Sequence, residues 1–182
     1  MIETARLKLI PCELKHFEAI LQDQPQLAQL LGVTVLDNWF DFPGVAGIEA
    51  IRFGYDYLKA NPDDLGWWTY FFIHVKDNAL VGIGGYSGYK GKADESGMVE
   101  IGYAIISAYQ CQGLATEAAG GLIDRAFSNK HIRRVEAHTL AEHNPSTRVL
   151  EKVGMANVGI DHDQDVGEVW HWSLTKEDYR KT

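Results

Sequence analysis

The stretch YQCQGLATEA, Tyr109 to Ala118, sets a polar, glycine-containing turn between an apolar run and the start of a helical pattern. The first N–H groups of a helix have no internal partners, and the macrodipole adds partial positive charge there. A strand, a short turn and a helix N-terminus in that order therefore suit an anion, and a phosphate above all. Gly113 lets the backbone approach a ligand closely, and Ala115 keeps the next turn small. The side-chain amides of Gln110 and Gln112 are neutral donors for the rim. The competing reading is an ordinary turn in which water takes the same donors. Just upstream, Glu100, Gly102 and Ala104 alternate with Val99, Ile101, Tyr103 and Ile105. In an extended strand the first set shares one face: a carboxylate followed by two very small side chains. That leaves room for a ligand beside the strand, with a base at its edge. The plainer reading of Glu100 is a solvent-facing glutamate at a strand end.

Hydrophobic periodicity supplies the elements that position these residues. Strands are expected at Arg6–Ile10, Trp68–Val75, Leu80–Tyr89, Met98–Ile106, Arg133–Leu140, Met155–Ile160 and Gly167–Leu174. Helices are expected at Pro11–Leu21, Gln24–Leu31 and Gly47–Asn61. A further helix follows the glycine turn, its apolar stripe running through Ala115, Ala118, Ala119, Leu122, Ile123, Ala126 and Phe127. The last, Asn144–Gly154, has Asn144 as cap, Pro145 in the first turn and Gly154 past the end. The glycine-rich GIGGYSG, Gly82–Gly88, has Ser87 where a dinucleotide fingerprint needs its third glycine, and it runs into the polar loop Lys90–Gly97. It reads as a bulged or closely packed strand. The order β-α-α-α-β-β-β-α-β-α-β-β predicts one domain over residues 1–182. Its class is α/β (α+β), with a mixed central sheet of about seven strands flanked by helices.

The 182 residues carry a net charge of −8 and a pI near 5.3, which argues against a broad nucleic-acid face. Cys12 and Cys111 form no CxxC pair, so neither a disulfide framework nor a cysteine-built zinc site is expected. No signal peptide and no apolar run of membrane-spanning length stands out, and a cytoplasmic protein without a membrane partner is the expectation. His74, His138 and His171 lie in predicted strands, no H-x-x-x-H pair exists, and His162–Asp165 reads as a solvated loop; no metal is expected. No G-x-S-x-G elbow supports hydrolase chemistry. Trp39, Phe40, Phe42, Phe53, Tyr55, Tyr57, Trp67, Trp68, Trp170 and Trp172 read mostly as core, with some free to wall an acceptor site.

QCQGLA fits Q/R-x-x-G-x-G/A, the acyl-CoA pyrophosphate motif of the GCN5-related N-acetyltransferases (GNAT family). VEIGYAI resembles the strand before that motif, and NPSTRVLEKVGM resembles the later helix that ends in EKxGF. The opening ETARLKLIP is similar to the start of the branch that includes ribosomal-protein N-terminal acetyltransferases. The resemblance covers most of the chain and is weakest from Val33 to Trp68. It implies a GNAT fold and acetyl-CoA as co-substrate. The implied reaction is direct attack of a primary amine, a protein N-terminus or a small-molecule amine, in a ternary complex. It implies cofactor contacts from Tyr103, Ala104, Ile105, Gln110, Cys111, Gln112, Gly113, Leu114, Ala115, Thr116 and Asn144. Backbone N–H groups near Tyr103–Ile105 would polarise the thioester carbonyl, and Glu100 is the candidate base. Cys111 stands where many members have glycine, and His143 competes with Asn144 for the family asparagine position. The family often has a tyrosine in that helix to protonate the thiolate. Seven residues beyond Asn144 and His143 stand Glu151 and Leu150, so Ser146, another side chain or water must serve. A longer acyl-CoA, a non-catalytic CoA sensor and a phosphate- or nucleotide-binding module remain the rival readings.

Overall fold

A computed structural model describes residues 1–22, 24–37, 39–40, 47–87 and 97–180. Phe42, Tyr89 and the loop expected at Lys90–Gly97, Gly97 aside, lie outside these residues. The elements run β1 (Ile2–Glu3), β2 (Leu7–Pro11), α1 (Leu14–Gln22), α2 (Gln24–Leu31), α3 (Gly47–Ala60), β3 (Thr69–His74), β4 (Ala79–Ser87) and β5 (Met98–Ile105). They continue with α4 (Leu114–Ser128), β6 (Arg134–Leu140), α5 (Pro145–Lys152), β7 (Ala156–Asp163), β8 (Gly167–Thr175) and α6 (Lys176–Tyr179).

The strands form one sheet of eight in the order β1-β2-β3-β4-β5-β6-β8-β7. The expectation of about seven strands is corrected by β1. Its two residues, paired as Ile2↔Leu9 and Glu3↔Lys8, are too few to show an alternating pattern. Helices cover both faces, so the central strands are apolar on both sides. In β3, Tyr70 and Phe72 join the cluster under α4 and α5, while Phe71 and Ile73 join the cluster under α1, α2 and α3. The stripe expected on α4 is the buried one: Ala118, Ala119, Leu122, Ile123, Ala126 and Phe127 are all in the first cluster. No helix among the described residues is long and apolar enough to cross a membrane.

Two local features shape the middle of the sheet. The register between β3 and β4 shifts between Phe72 and Ile73, whose partners are Gly82 and Leu80. A β-bulge there bends the strand. The glycines of β4 then allow close packing on β5. A Cβ on Gly82 would lie 2.4 Å from Ala104 O, and one on Gly84 2.4 Å from Gly102 O. Among the described strands, neighbours pair antiparallel except β5 and β6. That parallel ladder holds Met98↔Arg134, Val99↔Val135 and Glu100↔Glu136, and then stops although both strands run on. Beyond Glu100 the two strands part, and a wedge opens in the sheet.

Candidate active site

A cavity of about 710 Å³ reaches the wedge, lined among others by Trp68, Gly102, Tyr103, Ala104, His138 and Ser146. The backbone of β5 serves its open edge. Ile106 N donates to Val81 O at 2.9 Å, toward β4. Strand alternation then turns the N–H groups of Ile105 and Tyr103 to the opposite edge, where β6 has moved away. The Ile105 carbonyl on that edge accepts from the Gln110 Nε2 amide at 2.8 Å.

The glycine turn stands at the same end of β5. Gly113 is the N-cap of α4 with φ 78, a left-handed conformation that suits glycine. The first helical bond runs from Glu117 N to Gly113 O at 3.1 Å. The N–H groups of Leu114, Ala115 and Thr116 precede it and point out of the helix end. Cys111, an exposed free thiol, also has positive φ, 60. Gln112 Nε2 reaches back to Ala108 O at 3.4 Å, so both glutamine side chains brace the turn itself.

Arg6 joins this turn, a residue the sequence reading did not single out. Its Nη1 donates to Gln112 O at 2.9 Å and its Nε pairs with Glu117 Oε2 at 2.7 Å. Glu117 Oε1 accepts from Thr4 Oγ1 and from Arg6 N, both at 2.6 Å. The knot leaves a guanidinium beside Gly113. Burial opposes the charge of Glu117, but the bonds from Thr4 and Arg6 outweigh it and hold its carboxyl below the ordinary 4.5. The stabilisation is therefore fully present above the unfolded value and is lost as pH falls through the lower folded one. Glu117→Gln should lower the melting temperature at pH 7, with the wild-type and variant values converging as pH falls through the lowered folded-state pKa of Glu117. A constant gap across pH would sink this assignment.

Glu100 sits at the rim of the cavity between two lining residues. His138 Nδ1 is 2.8 Å from its Oε1, and Ser87 Oγ is 3.4 Å from its Oε2. His138 Nε2 contacts Asp161 Oδ2 at 3.0 Å. Burial opposes protonation of His138, but the two carboxylates outweigh it and raise its pKa above the ordinary 6.5. His171 stacks on His138 at 4.8 Å and contacts the same Asp161 oxygen at 3.1 Å. The two histidines lie 33 positions apart, and the β6–β8 register, His138↔His171, makes them neighbours.

At the start of α5, Asn144 caps the helix. Its Oδ1 accepts from Thr147 N and its own N–H donates to Thr147 Oγ1, each at 3.1 Å. The adjacent Ser146 lines the cavity, and its carbonyl accepts the Tyr103 hydroxyl at 3.3 Å. Burial pushes the Tyr103 pKa well up, so the phenol keeps its proton. His143 packs instead against Trp170, ring centroids 5.0 Å apart. Of the aromatic residues, Trp39, Trp67 and Trp172 are core, whereas Phe40, Phe53 and Trp68 line the cavity.

Comparison with known proteins agrees with this architecture. The model of the acetyltransferase (GNAT) domain matches residues 6–156. The uncharacterized N-acetyltransferase YjdG of Bacillus subtilis (strain 168) is 30% identical over 172 residues, 94% of this chain and 96% of that one. Among solved structures, a GNAT-family acetyltransferase from Bacillus anthracis superposes with a TM-score of 0.65 at 24% identity, covering 97% of this chain and 98% of the other. RimL, titled a ribosomal L7/L12 alpha-N-protein acetyltransferase in complex with coenzyme A, superposes with a TM-score of 0.67 at 18% identity, covering 96% and 97%. At those identities the two structures speak for the fold. The domain match and the full-length relative carry the further step: this chain belongs to the GNAT family of acetyltransferases.

Proposed function

We propose that the chain transfers an acetyl group from acetyl-CoA to a primary amine by direct attack within the wedge between β5 and β6. The observation that carries the reading is the coincidence, at one end of β5, of a left-handed glycine cap, free helix N–H groups and an open strand edge. In this reading the amides around residues 111–116 hold the diphosphate and the pantetheine arm lies along β5 with its thioester near Gly102–Ile105. The outward N–H groups of Tyr103 and Ile105 stabilise charge on the thioester oxygen. Glu100 takes the proton lost by the attacking nitrogen, directly or through water. As the C–S bond breaks, the thiolate accepts a hydrogen bond from the Tyr103 hydroxyl, which stands at the α5 terminus where the family's usual tyrosine is missing, and its proton arrives through water. Ser146 borders the same spot and is the alternative donor.

An α-amino group, with a pKa near 8, is roughly 10% neutral at pH 7, whereas a lysine amine near 10.4 is about 0.1% neutral or less. A single rim carboxylate therefore serves the first far better. The described lining residues include Glu49 but no lysine or arginine, which favours an acceptor without a carboxylate of its own. The test is a panel of peptides with free N-termini, small amines and free amino acids, scored by thiol release from acetyl-CoA. Turnover on peptides or amines is the expected result. CoA binding without turnover on any amine would point to a sensor, and faster reaction with longer acyl-CoAs would replace the acetyl assignment.

A further inference from the structure

Glu100, Glu136, His138, His171 and Asp161 come from four strands and share one face of the sheet. The registers dictate this: Glu100 pairs with Glu136, His138 with His171, and Asp161 with Val169, two residues from His171. Each imidazole has a carboxylate on one side, with His138 Nδ1 2.8 Å from Glu100 Oε1 and His171 Nε2 3.3 Å from Glu136 Oε2. The second contact lies within ion-pair distance but out of line for a hydrogen bond. The opposite nitrogens, His138 Nε2 and His171 Nδ1, approach the same oxygen, Asp161 Oδ2, at 3.0 and 3.1 Å. A neutral imidazole has one N–H. With that hydrogen facing Glu100 or Glu136, each ring turns its lone pair toward a third carboxylate. In the neutral form three electron-rich atoms converge as the ligands of a cation do, and a proton on His138 is the competing occupant. Arg134 Nε, 2.6 Å from Glu136 Oε1, offsets one carboxylate. Those of Glu100 and Asp161 flank His138 and are balanced by its proton or by a bound cation.

We infer that His138, His171 and Asp161 form a binding site for a divalent transition-metal ion of the zinc class, with Glu100 and Glu136 orienting the two imidazoles from behind. Around a zinc ion with bonds of about 2.0–2.2 Å, ligand atoms stand about 3.0–3.5 Å apart. The two contacts to Asp161 fall in that range, and all three ligand atoms lie within 4.8 Å of one another. The rings stack with planes 28° apart, so each turns about its soft outer torsion to aim its lone pair at the ion. A carboxylate behind a ligating histidine fixes the tautomer and raises the basicity of the ligand nitrogen. Two imidazoles and one carboxylate suit zinc, nickel or cobalt and are poor ligands for magnesium or calcium. The partly exposed side chains give the ion a way in and leave a coordination position for water. The site adjoins the acceptor cavity and meets it through His138, so it is independent of the CoA turn.

The test is equilibrium competition of chelator-stripped protein with a chromophoric zinc indicator. Uptake of one zinc ion per chain, with a dissociation constant of about 10 µM or tighter, is expected. His171→Ala should weaken it at least about 30-fold. Glu136→Gln removes no ligand, yet should weaken it about 10-fold by loosening His171. Circular dichroism and melting curves establish that both variants are folded. No uptake up to about 100 µM zinc would mean that the cluster holds protons only, and would overturn the proposal. Wild-type affinity in either variant would reduce the binding to adventitious surface histidines, with the same consequence.

Discussion

Gly113→Leu should weaken CoA binding by roughly 30- to several-hundred-fold while leaving the protein folded. The side chain would stand where the diphosphate must approach the first amides of α4. Losing one or two hydrogen bonds to a charged group costs about 2–4 kcal/mol, and each 1.4 kcal/mol is tenfold in affinity. The position has room for a Cβ. A Cβ at this position meets only Arg6 Nη2, at 3.5 Å. What the fold loses is the left-handed preference at φ 78, about 1–2 kcal/mol for a residue with a side chain. Isothermal titration with CoA and a melting curve separate the two effects. An unchanged dissociation constant would refute the phosphate role of the turn and leave the acyl-transfer reading without its anchor.

Glu100→Gln should lower kcat/KM about 100-fold or more near pH 7, and the deficit should shrink as pH rises toward the pKa of the acceptor. The amide keeps the shape of the side chain and its contacts at His138 and Ser87, so binding of both substrates should change little. Where the acceptor is already neutral a base has nothing to remove, and the variant should approach the wild type. The measurement is a pH–rate profile of both proteins in the presence of a chelator, which keeps any bound metal out of the comparison. A loss of equal size at every pH would make Glu100 a structural residue.

The parts of this site that follow from local rules were legible in the residues. Gly113 at the turn, the Asn144–Pro145 start of α5 and the apolar stripe of α4 all act within a few positions of themselves, and the structure has each in place. The close packing expected of the β4 glycines is likewise present at Gly82 and Gly84. What escaped depends on pairing between distant strands. The parting of β5 from β6 beyond Glu100 is a property of two strands, and neither sequence signals it alone. No short ligand motif such as H-x-x-x-H is present in the sequence. His138, Asp161 and His171 meet through the β6–β8–β7 registers instead. Arg6 was hidden in the same way, inside a segment that reads simply as the approach to a strand.

The tie between Glu117 and residues Thr4 and Arg6 has a practical corollary. In the proposed reading, the grip on the coenzyme's diphosphate leans on the backbone around Thr4 and Arg6. A change to that backbone, such as a fusion placed just ahead of it, should then lower coenzyme affinity without touching the turn itself.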